Sequence, residues 1–197
     1  MTRQTLIAAA VASVLMSSPL AVMAAEPNEG NEWAPMLELF MQHDVTKWAT
    51  DPRLIDALRA QNERTAALSQ ADIDALDEAW IGGNPSDPLI ADVLNSPVAD
   101  FLRMEVEAFY GAVTEIILMD ARGLNVAISH LTSDYWQGDE AKYQETFSKG
   151  TGTIFVDGME VDASTGQYQG QVSMTISDPE TGAPLGALTL GVIPEML

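Results

Sequence analysis

The sequence predicts an α+β domain in which N-terminal helices pack with a five-stranded, mostly antiparallel sheet. Three observations point there. Apolar residues recur at helical spacing up to about Gly111. From Ala112 onward the apolar stretches become β-branched or alternate with polar residues. The segments are separated by capping residues, prolines and glycines, which punctuate the chain. A length of 197 residues with 47% apolar content is enough for one sizeable core.

The first element is a leader. Arg3 is followed by an apolar, alanine-rich run from Leu6 to Leu15, and Pro19 precedes Ala21-Val22-Met23-Ala24-Ala25. Residues 1–24 read as a signal peptide cleaved after Ala24, with the mature chain expected in the periplasm. A membrane anchor needs about 20 uninterrupted apolar residues, and Ser13, Ser17, Ser18 and Pro19 interrupt this run. The mature protein is expected not to be embedded in the membrane.

Residues 25–111 form the expected helical region. Trp33 to Trp48 carries Met36, Leu37, Phe40 and Met41 on one face. Asp51-Pro52 reads as an N-cap followed by proline at the first helical position, and Ile55, Leu58 and Asn62 continue that helix. Ser69 and Asp72 form a capping box in its aspartate form. The helix they open carries Ile73, Leu76 and Trp80 and stops at Gly82-Gly83. A short helix is expected from Asp87 to Leu94, and Ser96-Pro97 starts another with Phe101, Leu102, Val106 and Phe109 inward.

Residues 112–197 form the expected sheet. Ala112 to Met119 is a buried strand by composition, and Ala121-Arg122-Gly123 turns it into a second strand, Leu124 to Ser129. Asp134 to Phe147 is a polar, aromatic connection with a helix expected from Asp139 to Thr146. Thr153 to Val161 is a third strand. Gln167 to Ser177 alternates, with Tyr168, Val172, Met174 and Ile176 opposite Gln169, Gln171, Ser173 and Thr175. A turn at Asp178 to Gly182 leads to the last strand, Leu185 to Ile193.

Composition excludes several functions. The formal charge is −20, from 29 acidic and 9 basic side chains, and phosphate binding needs clustered Lys and Arg, so no nucleic-acid partner is expected. Without cysteine there is no disulfide, thiolate nucleophile or zinc–thiolate site. Two distant histidines, His43 and His130, make no metal motif. Asp157, Glu160 and Asp162 are suitable calcium ligands by type, but they lack the EF-hand spacing. Gly150-Thr151-Gly152 lacks the rest of a dinucleotide loop, and no G-x-S-x-G elbow occurs. No cofactor, metal or catalytic constellation is expected, and the chain does not read as an enzyme.

Four segments in order, LMDARGLNVAIS (118–129), SDYWQGDEAKYQETF (133–147), VDASTGQYQGQVSMTISDPETG (161–182) and APLGALTLGV (183–192), resemble a single Cache domain, the PAS-like extracellular sensor module. The resemblance covers roughly the last 85 residues. It implies a small-molecule sensor, normally the outer part of a receptor, with the ligand between the sheet and the loop after the second strand. The chain ends at Glu195-Met196-Leu197 where such receptors continue into a membrane helix. The form expected is therefore a stand-alone exported protein that passes its signal to a separate membrane receptor.

By that resemblance the ligand-binding candidates are Tyr135, Trp136, Gln137 and Asp139, with Asp162 across the pocket and His130 at the end of the second strand. Aromatic rings give flat walls, and a carboxylate holds an ammonium or a sugar hydroxyl. The same residues also fit a structural role: Tyr135 and Trp136 plugging the sheet face, Asp139 capping a helix, Asp162 starting a turn and His130 hydrogen-bonded in the fold. Amino-acid-sensing members resemble one another through an arginine beside the Trp-Tyr pair, and no arginine follows Ser129 here. A neutral or cationic ligand is therefore favoured over an anionic one. The alternative function is a ligand-free periplasmic interaction or dimerisation module, with Trp33, Trp48 and Trp80 as docking residues.

Overall fold

The computed structural model describes residues 32–161 and 168–197. The leader expected at residues 1–24 and the candidate Asp162 lie outside them. The first helix is α1 (Ala34–Phe40), continued by a wider π turn (Met41–Val45) into α2 (Thr46–Ala49). Next come α3 (Pro52–Thr65), α4 (Gln70–Ile81), α5 (Pro88–Leu94) and α6 (Pro97–Ala108). Their starts are written in local chemistry. Asp51 accepts from the Arg53 N–H, Ser69 and Asp72 satisfy each other's backbone donors, and Ser96 accepts from the Ala99 N–H. Among the described residues no helix is long and apolar enough to cross a membrane.

The strands are β1 (Val113–Asp120), β2 (Asn125–Ile128), β3 (Ile154–Val161), β4 (Tyr168–Ser177) and β5 (Pro184–Val192). They form one sheet in the order β2-β1-β5-β4-β3, antiparallel at every pairing. Register sorts the side chains. Ile116, Leu190 and Val172 line one row, and Leu118, Leu188 and Met174 line the next. This face packs on α1, α3 and α6 through Leu37, Leu54, Leu58, Phe101 and Leu102. The opposite face joins Ile117, Met119, Ile128 and Ala187 to Ile73 and Trp80 of α4, Ile90 and Val93 of α5, and Tyr135 and Tyr143.

Between β2 and β3 lies α7 (Ala141–Gln144), shorter than the helix expected from Asp139 to Thr146. Glu140 occupies the N-cap without a capping side-chain bond, and Thr146 leaves helical dihedrals at φ −117°, ψ −86°. The chain then tightens into a turn at Phe147–Lys149, which stacks Phe147 on Tyr143 with centroids 5.3 Å apart.

The β1–β2 turn is built by Asp120, whose Oδ1 accepts from the N–H groups of Arg122 (2.8 Å) and Leu124 (3.0 Å). Its Oδ2 accepts from Thr65 Oγ1 of α3 at 2.8 Å. Gly123 closes the turn at φ +79°, where a side chain would also meet the Gly138 backbone 2.6 Å away. Burial pushes the Asp120 carboxyl above its ordinary range, against the pull of these hydrogen bonds. A raised folded-state pKa means the stabilising share is complete below the unfolded-chain value and is lost as pH rises through the folded one. In urea titrations from about pH 3 to 7, the stability of wild type relative to Asp120→Asn should therefore fall with rising pH and then level off. A gap that widens toward neutral pH would contradict this sign.

Candidate functional site

The loop after β2 is fastened at several points. Asp77 Oδ1 of α4 accepts both the Tyr135 N–H (2.8 Å) and the Trp136 N–H (2.9 Å). The Tyr135 ring stacks on Trp80 (centroids 5.4 Å apart, planes 22° apart), and its hydroxyl accepts from Gln61 Nε2 at 3.0 Å. Trp136 Nε1 donates to the Arg122 carbonyl at 2.8 Å, and the Gln137 N–H donates to the Gly123 carbonyl at 2.8 Å. The Gln137 amide bonds Asp134 and receives Lys142 Nζ at 3.0 Å. Lys142 is also paired with Glu140 at 2.8 Å, and burial raises the Glu140 carboxyl.

The structure thus gathers Tyr135, Trp136 and Gln137 into one bonded cluster. Asp139 and His130 are exposed, and His130 Nδ1 lies 3.1 Å from Ser129 Oγ. Trp80 is buried in the core with its Nε1 donating to the Thr132 carbonyl at 3.0 Å, while Trp33 and Trp48 pack against the other core cluster.

The polar face of β4 carries residues that the aromatic-loop reading did not single out. In an antiparallel sheet with one dry face, the alternate polar set normally meets water. Here Gln169, Gln171, Ser173 and Thr175 are all buried, with Thr189 of β5 and Glu115 of β1 beside them. Register puts Glu115, Gly191 and Gln171 in one row, Ile117, Thr189 and Ser173 in the next, and Met119, Ala187 and Thr175 in a third. Ser173 and Thr189 share a 2.8 Å hydroxyl contact, Gln169 Nε2 donates to Glu115 Oε1 at 3.2 Å, and Thr114 donates to Gln169 Oε1. Thr175 is only 4% exposed, and its Oγ1 has no hydrogen-bond partner among the described residues. The segment with α7 and the Phe147 turn packs against β3, β4 and β5 on this side. Buried polar groups normally have partners, and Thr175 Oγ1 has none among the described residues. The alternation was readable in the sequence; the covering of it was not.

A concavity of about 890 Å³ opens between α3, α4, α5 and the loop, with Tyr135 among its lining residues.

Five antiparallel strands in the order β2-β1-β5-β4-β3, helices ahead of them and an aromatic loop after the second strand complete the picture. The fold is PAS/Cache-like. No protein-family model and no curated protein sequence matches the chain. Among solved structures it is similar to the sensor domain of the V. cholerae histidine kinase DctB, at 17% identity and TM-score 0.45, over 84% of this chain and 56% of that one. It is also similar to the sensory domain of the C. jejuni chemoreceptor Tlp3 with isoleucine bound (18%, TM-score 0.39, 80% and 63%). A third is the ligand-binding domain of the P. fluorescens chemoreceptor CtaA with L-alanine (16%, TM-score 0.37, 83% and 59%). The chain spans between 56% and 63% of the length of these domains.

Proposed function

We propose that this PAS/Cache-like chain is an exported, periplasmic binding protein that captures a small neutral or cationic molecule and passes the bound state to a separate membrane receptor. The site lies between the polar face of the sheet and the loop after β2. The observation that carries the reading is the buried polar set on β4 and β5, above all the unpartnered Thr175 Oγ1. Hydroxyls and amides there suit a hydroxyl- or amine-bearing guest, and Glu115 stands in the Gln171 row of the same face. Tyr135, Trp136 and Gln137 set the position of the covering loop, while Asp139 and His130 remain candidates for the rim.

Thermal-shift screening of amines, sugars, purines and organic acids tests this, because a ligand that binds only the folded state raises the midpoint. A hit should lose about tenfold or more in affinity in Thr175→Val, which keeps the side-chain shape and removes the hydroxyl. An absence of hits, or hits indifferent to Thr175→Val and Ser173→Ala, would overturn it.

The interaction-module reading has one observation in its favour. An apolar groove of about 530 Å³ lies between α1 and the C-terminal turn, lined by Met36, Phe40, Phe109 and Met196, with Leu39 and Tyr110 exposed beside it. A concentration-dependent native mass would support that reading, and a monomer at all concentrations with no captured partner would remove it.

A further inference from the structure

In a chain this acidic, an arginine without a carboxylate partner stands out. Eight Lys and Arg side chains fall among the described residues. Lys47, Arg53, Arg59, Arg103, Lys142 and Lys149 each lie within 3.4 Å of a carboxylate oxygen. Arg122 directs its guanidinium at the carbonyls of Leu68 (2.9 Å) and Thr65 (3.5 Å), at the end of α3. Arg64 differs from all of these. Its one polar partner among the described residues is the neutral Gln61 Oε1, at 2.6 Å, which uses one of five guanidinium donors.

Arg64 lines the 890 Å³ cleft between α3, α4 and α5. Gln61 relays from it to Tyr135, accepting from Arg64 and donating through Nε2 to the Tyr135 hydroxyl. The Tyr135 proton has no acceptor of its own among the described residues, and burial pushes its pKa up to about 12, so the hydroxyl stays a donor at neutral pH. Two sets of free donors thus border one space. Leu68, Leu76, Leu89 and Val93 supply apolar wall, and the other charged residue of the lining is Asp92 of α5.

We propose that this cleft is a binding site for a small monocarboxylate with an apolar body, distinct from the sheet-face site. The carboxylate takes the Arg64 guanidinium and the Tyr135 O–H, the body lies on Leu68, Leu76 and Leu89, and Asp92 selects against a second negative charge. Its preferred charge is opposite to that of the sheet-face site, which makes the two separable by experiment.

The test is a two-dimensional amide NMR titration of the protein with sodium benzoate, beside uncharged benzamide. Benzoate should move resonances at residues 61–68, 89–97 and Tyr135, and should bind more tightly than benzamide. Arg64→Gln should weaken benzoate roughly tenfold or more, Arg64→Lys should recover part of the loss, and Thr175→Val should change nothing. Arg64 is exposed, so its replacement leaves the core in place. Equal affinity in Arg64→Gln, benzamide binding as tightly as benzoate, or no shift in those segments would overturn the proposal. Shifts confined to the sheet face and abolished by Thr175→Val would also overturn it, while supporting the sheet-face site.

Discussion

Trp80→Ala is expected to lower stability by about 3–5 kcal/mol, the range for emptying a buried aromatic position. Trp80 is 3% exposed and holds three things together at once. Its ring carries Tyr135 in a stack, its Nε1 satisfies the Thr132 carbonyl, and its body joins Ile73, Ile90 and Val93 to the sheet. Removing it leaves a cavity and an unpaired buried acceptor, so the two costs add. Urea unfolding should show a lower midpoint with little change in slope. Trp80→Phe should recover much of the packing without the hydrogen bond. A loss below about 1 kcal/mol for alanine would mean that the α4–loop cluster contributes little to the fold.

Gly186→Ala is expected to cost about 3 kcal/mol or more, although it adds one methyl group. The added carbon would overlap the Met119 carbonyl oxygen and come within 2.7 Å of Leu58 Cδ2. Gly186 is paired with Asp120 on one side and Ile176 on the other, so β5 cannot yield without disturbing two ladders. Gly158→Ala is the matched control: its added carbon meets no atom within 4 Å. If both variants keep wild-type urea midpoints, β5 has more room than its two ladders allow.

Much of the helical region was legible because caps are local chemistry. Asp51, Ser69 with Asp72, and Ser96 each bond a donor two or three residues away, and each helix begins where its cap stands. The strands were legible from composition and alternation. What the sequence could not show is which alternate face is covered, since that depends on a loop many residues removed in the chain. Gln169, Gln171, Ser173 and Thr175 were therefore read as a polar face and not as a buried one. No arginine follows Ser129, as the sequence shows, but an arginine from another element stands near the loop. Arg64 stands on α3, and its link to the aromatic loop runs through Gln61 to Tyr135, 74 residues farther along. The aromatic loop itself was located correctly, but its polar groups proved to be engaged with Asp77, Gln61, Arg122 and Asp134.

Asp77 gives that loop a further property. One carboxylate oxygen serves two successive amides, so a change at that one side chain acts on both bonds between α4 and the loop. Any coupling carried through this joint is reciprocal: what a guest on one side contributes to the other side is returned in equal measure. If a guest under the loop and a guest in the Arg64 cleft are coupled through Asp77, each alters the other's affinity by the same factor, with no contact between them.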